Sequence, residues 1–184
     1  MAIHRTREEL ERGLRKVLQS PKDGGRLEAI VVRPGAKQRR SLGECELSPE
    51  GGLHGDRWAD GCWKTLPDGR PHPDVQVAIM NSRAIAWIAG DRSRWELAGD
   101  SLYVDLDLSD ENLSPGDRLS VGSVILVITE TPHLGCQTFG ERFGAEAVSF
   151  VNCPEGRRLH LRGIYARIIQ AGLVTVGDVV RKLP

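Results

Sequence analysis

LSVGSVILVIT, residues 119–129, decides the fold class, because β-branched residues dominate it and a Gly-Ser pair interrupts it after three residues. Four other stretches share its character: LEAIVV (27–32), VQVAIM (75–80), LYVDLDL (102–108) and VTVGDVV (174–180). Short apolar or alternating runs at this spacing, punctuated by Gly, Pro and Asp, predict a mainly β domain closed as a barrel or stacked as a sandwich. NSRAIAWIAG (81–90), ERFGAEAVSFV (141–151) and GIYARIIQAG (163–172) predict short helices, the last stopped by Gly172 in the C′ position. Strands and helices do not alternate regularly, which argues against a doubly wound parallel sheet.

Ahead of the first strand, TREELERGLRKVLQS reads as an opening helix. Thr6 is its N-cap and Glu9 the capping-box partner, with Leu10, Leu14, Val17 and Leu18 as an apolar stripe. SPKDGG (20–25) then breaks it. The expected organisation is residues 1–25 as helix and linker and residues 26–184 as one domain, a length that buries a core without staples.

Composition narrows the function. Lysines and arginines number 25 and acidic residues 25, so no global charge calls for nucleic acid or an acidic membrane, and any anion site must be local. No apolar run reaches the roughly 18 residues of a membrane helix. The four cysteines, Cys45, Cys62, Cys136 and Cys153, contain no CxxC pair, which argues against structural zinc. With no secretory leader pattern at the start, a cytoplasmic location and reduced thiols are expected.

Several stretches carry candidate chemistry. In PHLGCQTF (132–139), Cys136 follows a strand-forming run, where loops present reactive groups, although free cysteine is also a common buried filler. GGLHGDRW (51–58) sets three glycines around Asp56 and Arg57, a turn that exposes backbone N–H groups and aims a guanidinium, or one that is simply structural. SDENLSPGDRLSVG (109–122) holds Glu111, Asn112 and Arg118. Its acids do not make a calcium loop, since Asp110 stands where the turn glycine belongs and Gly116 where the bidentate acid belongs. LHLRGIYARIIQAG (159–172) carries Arg162 and Arg167 about an expected helix start that would favour an anion. The connection ADGCWKTLPDGRPHPD (59–74) is long for a compact domain, and such loops are usually functional; it also holds Cys62, the chief rival to Cys136.

Five of these pieces occur in an order that resembles the MOSC domain, the module named for the C-terminal part of molybdenum cofactor sulfurases. They are GLHGDRW, QVAIMN, ENL followed by GDRLSVGSVILVIT, the single cysteine of TPHLGC, and RGIYARIIQAGLVTVGD. The resemblance implies a β-barrel with a few short helices and a pocket that receives the molybdenum cofactor or a related sulfur-bearing ligand. It matches the family cysteine to Cys136, as metal ligand or sulfur carrier, and places Arg57, Arg118, Arg162 and Arg167 in motifs where cations hold pterin and phosphate. Asp56, Glu111 and Asn112 complete the candidate set around the cofactor. A soft thiolate suits both a molybdenum ion and a transferable sulfur.

The resemblance leaves two functions open. One is a molybdenum-cofactor protein that uses Cys136, with reduction of N-hydroxylated compounds by electrons from a separate redox partner as a candidate activity. The other is a non-catalytic carrier that delivers cofactor to, or docks on, a molybdoenzyme. Nothing in the chain matches the pyridoxal-phosphate domain that extracts sulfur from cysteine, so the desulfurase step itself is not expected of it.

Overall fold

Residues 119–129 fold as a hairpin, turning at Gly122, whose φ of 55° is the left-handed conformation that glycine adopts without strain. The computed structural model describes residues 4–184. In chain order the elements are α1 (Arg7–Val17), β1 (Gly25–Val32), β2 (Arg40–Leu42), β3 (Glu44–Ser48), β4 (Gly52–Leu53), α2 (Trp58–Gly61), β5 (Val77–Asn81), α3 (Ser82–Ala89), β6 (Leu102–Asp105), β7 (Arg118–Val121), β8 (Val124–Ile128), α4 (Gln137–Phe143), α5 (Ala145–Asn152), α6 (Pro154–Arg158), β9 (Ile164–Gln170), β10 (Gly172–Thr175) and β11 (Val179–Leu183). Short 3-10 turns at Pro73–Val75 and Arg92–Ala98 lie between them.

The main sheet closes on itself. Its order is β11-β7-β8-β9-β5-β6-β1, and β1 pairs back to β11 through Gly25↔Val180 and Arg26↔Val179. Closure removes the unpaired edges that an open sheet would expose. Within this ring only β5 and β6 run parallel, and α3 with the 3-10 turn after it makes the crossover between them. Beyond its contact with β11, β1 continues along β2, and a small second sheet, β10-β3-β4, lies beside the barrel.

Strand periodicity sorts the core into two clusters. Ile30, Val32, Ile79, Leu102 and Val104 point into the barrel with Leu119, Leu126, Ala166 and Val180. Their neighbours Val31, Met80 and Tyr103 point outward and pack under helices with Leu10, Ile85, Phe139, Phe143 and Leu161. Successive side chains of a strand face opposite ways, so one sheet serves both clusters. Each fully buried Leu or Ile contributes about 1.5–3 kcal/mol of transfer free energy.

Helix α1 forms with the expected capping box: Thr6 and Glu9 each bond the other's backbone N–H. Leu10 is fully buried, and Gly13 lies so close to the Trp87 ring that a Cβ there would come within 1.9 Å of it. Leu18, expected in the buried stripe, falls at the C-cap and is exposed.

Three expectations are corrected. Residues 163–172 are strand, not helix: β9 buries Ile164, Ala166 and Ile168 in alternation, and Gly172 opens β10 instead of capping a helix. Residues 141–151 do not make one helix, because Gly144 at φ 95° separates α4 from α5. VTVGDVV is not one strand, since a turn at Gly177, φ 102°, divides β10 from β11.

Candidate functional site

A cavity of about 650 Å³ opens where the segment after β1, the turn into α2, the start of α4 and the first residues of β9 converge. Among the described residues its lining includes five arginines, Arg33, Arg39, Arg57, Arg142 and Arg162, and no aspartate or glutamate. The sequence brings them from four separate places, Arg33 and Arg39 sharing one segment, and closure of the barrel gathers them.

Two of these arginines are neutralised from behind. Asp56 takes Arg33 in a fork, with Nε to Oδ2 at 2.9 Å and Nη2 to Oδ1 at 2.8 Å. It also accepts the backbone N–H groups of Arg33 and Trp58. Asp56 therefore pins the glycine-rich turn to the end of β1. Asp100, wholly buried, accepts Arg162 Nη1 at 2.6 and 2.8 Å, while Arg162 Nη2 donates to the Ala98 carbonyl at 3.0 Å. Arg39, Arg57 and Arg142 have no carboxylate partner among the described residues, so three of the five positive charges stand unbalanced. Burial, and then the charges of Arg142 and Arg33, lower the pKa of Arg39, the signature of crowded cations.

Unpaired donors collect in the same place. Among the described residues, the buried side-chain nitrogens without a hydrogen-bond partner are Arg39 Nε, Trp58 Nε1, His133 Nδ1 and Arg162 Nε, and all four residues line this cavity. A buried polar group left unpaired costs about 1–3 kcal/mol, so four at one cavity give it a concentration of unmet hydrogen-bonding capacity. Aromatic rings shape the wall: His133 stacks on Tyr165 with centroids 4.3 Å apart, and Trp63 lies 6.4 Å from the same tyrosine.

Two free thiols face this cavity. Cys136, exposed, is the N-cap residue of α4, and Cys62, half-buried, follows the last turn of α2. Cys45 is buried in the barrel core, and Cys153 caps α6 by accepting the Gly156 N–H at 3.3 Å. The strand ahead of Cys136 ends at Ile128, so Cys136 stands at a helix start and not directly at a strand end.

Of the residues singled out in the sequence, Cys136, Arg57 and Arg162 line the cavity and Asp56 supports it. Four others lie elsewhere. Glu111 makes a surface ion pair with Arg158. Asn112 is buried as a structural hub, donating to the carbonyls of Lys22 and Asp107 and receiving Lys182. Arg118 is an exposed residue of β7, paired in register with Leu183. Arg167 sits on β9, 3.7 Å from Asp74, and neither it nor Arg162 flanks a helix start. Sequence reasoning missed Arg33, Arg39, Asp100, His133 and Arg142. RPGAKQRR (33–40), a basic run directly after β1, was the available signal for the first two.

No cluster of three or more His, Cys, Asp or Glu able to hold a metal occurs among the described residues. A metal bound here would bring most of its ligands with it. The unbalanced arginines, unpaired donors, aromatic wall and free thiol fit an anionic, flat organic ligand carrying a soft metal or sulfur. No helix among the described residues is long and apolar enough to cross a membrane.

Comparison with known proteins gives the same fold. The family model for the MOSC domain matches residues 67–181. The structure is similar to the YuaD protein of Bacillus subtilis, with a TM-score of 0.63 at 19% identity over 86% of this chain and 94% of that one. It is also similar to YiiM of Escherichia coli (TM-score 0.55, 17% identity, 86% of this chain and 70% of that one). YiiM of Geobacillus stearothermophilus is a third neighbour (TM-score 0.58, 12% identity, 87% and 75%). No curated protein matches the chain significantly.

Proposed function

Because the chain belongs to the MOSC domain family, we propose that it binds the molybdenum cofactor, or a close sulfur-bearing relative, in the arginine-lined cavity and presents Cys136 to its metal or sulfur. The observation that carries this reading is the coincidence, in one cavity, of three unbalanced guanidinium groups, four unpaired buried donors and an exposed thiol.

Each part of the lining has a role in this reading. Arg39, Arg57 and Arg142 supply charge for a phosphate that carries about −1.5 to −2 at neutral pH. Trp58, His133 and Tyr165 offer flat surface and N–H donors to a heteroaromatic ring. Asp56 and Asp100 hold Arg33 and Arg162 in fixed orientations, so the cavity is organised before a ligand arrives. Cys136 supplies the soft ligand or the sulfur-carrying atom.

The cofactor, when bound, would supply two-electron chemistry at its metal, and reduction of N-hydroxylated compounds is the activity that suits it here. Electrons would then come from a separate redox protein. The alternative, a non-catalytic carrier, is favoured by the arginine set, which can hold an anion without help from the thiol.

The test is metal and oxidised-pterin analysis of wild type and Cys136→Ala, expressed in a host that makes the cofactor. Wild type should retain molybdenum and phosphorylated pterin, and the variant should lose metal by about tenfold or more. Equal retention would select the carrier. Absence of pterin from both proteins, including after anaerobic loading, would refute cofactor binding.

A further inference from the structure

Cys62 has no part in the function proposed above, yet it faces the same cavity as Cys136. The segments bearing the two thiols are also joined. Lys64, two residues after Cys62, donates its Nζ to Thr131 Oγ1 at 3.0 Å, five residues before Cys136. Tyr165 packs between Trp63, next to Cys62, and His133, three residues before Cys136, with centroids 6.4 and 4.3 Å away. Arg57 lies along the backbone before Cys62, so close that a Cβ on Gly61 would meet its Nη2 at 2.2 Å. Sulfur exchange needs two accessible thiols that can be brought together, and these two stand on tethered segments of one cavity. The buried, unpartnered nitrogens of Arg162 and His133 at the same cavity independently mark it as a ligand site.

We propose that Cys62 is the resolving thiol for a persulfide carried by Cys136, and that the pair releases hydrosulfide into the arginine-lined cavity. The proposal rests on the preceding reading only in taking Cys136 as a sulfur carrier. Exposure assigns the roles: Cys136, the more open thiol, meets the donor, and half-buried Cys62 acts second.

In the loading step the Cys136 thiolate attacks the terminal sulfur of a persulfide donor. The donor's S–S bond breaks, the donor leaves as its thiolate, and Cys136 carries S–SH. Cys62 Sγ then attacks Cys136 Sγ. The bond from Cys136 Sγ to the outer sulfur breaks, and that sulfur departs with the electron pair as hydrosulfide. Two cysteine sulfurs are oxidised to a disulfide while the sulfane sulfur is reduced. Exchange with two molecules of a small thiol then restores both cysteines and releases that thiol as its disulfide. The disulfide needs Cα atoms about 4.4–6.8 Å apart, so the proposal includes a movement of the connection after α2 toward the start of α4.

The experiment treats the reduced full chain with inorganic polysulfide as donor, removes the excess, and follows hydrosulfide release and peptide masses. Wild type should yield a disulfide-linked pair of peptides containing Cys62 and Cys136, with about one hydrosulfide per disulfide. Cys62→Ser should stop at a Cys136 persulfide, with release reduced by about tenfold or more. The linked peptides are read on wild type, so the result does not depend on the variant folding. A persulfide equally stable in wild type and Cys62→Ser, or disulfides running through Cys45 or Cys153 instead, would overturn the proposal. Pterin content of Cys62→Ser, measured in parallel, separates the two ideas. Retained pterin with unchanged release in Cys62→Ser removes the pairing alone, whereas pterin absent from wild type and variant alike, with release lost in Cys62→Ser, removes the cofactor reading and leaves the pairing standing.

Discussion

His133 illustrates what the cavity requires of one side chain. It is buried between Tyr165 and the Asp100 carboxylate, whose Oδ1 lies 3.5 Å from Nδ1. Burial first, and then the electrostatic influence of Arg162, Arg33 and His160, push its pKa well below the usual 6.5. The groups facing it are two guanidinium cations, a second imidazole, one phenol and one carboxylate, and the His133 ring is neutral at physiological pH. In the unfolded chain the same imidazole accepts a proton near its ordinary pKa. Its contribution to stability is complete above the unfolded pKa and is lost as pH falls toward the folded one, at about 1.4 kcal/mol per pH unit. Thermal midpoints measured from about pH 7.5 down to about pH 5.5 should fall less steeply for His133→Gln than for wild type. The variant should start lower at neutral pH, having lost the ring contact with Tyr165. Parallel slopes would show that the titrating group lies elsewhere. At this scale the sequence revealed Cys136, Arg57 and Arg162 as chemistry-bearing residues in recognisable stretches. It could not reveal His133 or Asp100, whose character comes from burial beside partners remote in the chain, such as Arg162 for Asp100, brought together only by the closed sheet.

At the scale of elements, β9 marks both the reach and the limit of periodicity. Ile164 and Ile168 are four apart, a spacing shared by one face of a helix and one face of a strand. Buried Ala166 between them decides for the strand, and so does the three-isoleucine content of IYARIIQ. The strand character of β7 and β8, the helix α3 and the capping box of α1 were all legible, because each has a local signal in its own residues. The pairing of β1 with β11, which makes the barrel, has none. Gly163 is where β9 depends most on one position. Its φ of 110° admits side chains poorly, and a Cβ would lie 2.3 Å from the Ile79 carbonyl oxygen on β5. Gly163→Ala should therefore cost about 1–3 kcal/mol, seen as a lower midpoint in urea. It should also disturb Arg162, the preceding residue, so anion binding to the cavity should weaken with it. A midpoint unchanged from wild type would mean that β5 and β9 separate without cost.

For the whole molecule the question is whether the opening helix is an appendage or part of the cooperative unit. The sequence divides naturally into residues 1–25 and residues 26–184, since a Gly-rich breaker lies between them. The packing gives a physical reason to expect joint behaviour. Leu10 has no exposed surface and belongs to the same cluster as Met80, Tyr103 and Phe143, which stand on the outer face of the barrel and on α4. Trp87 of α3 donates its indole N–H to the Glu9 carbonyl at 2.7 Å and covers Gly13. The helical layer thus connects α1 to α4, the element that carries Cys136 at its start and Arg142 near its end. Leu10→Ala should cost about 2–5 kcal/mol, the usual range for a buried leucine truncated to leave a cavity. If α1 is integral, circular dichroism and tryptophan emission will report one transition shifted to a lower midpoint in both signals. An early loss of helix signal ahead of an unshifted main transition would instead make α1 a detachable cover. In the integral case, loosening α1 also loosens the floor under α4, so Leu10→Ala should speed alkylation of Cys136 in the native protein.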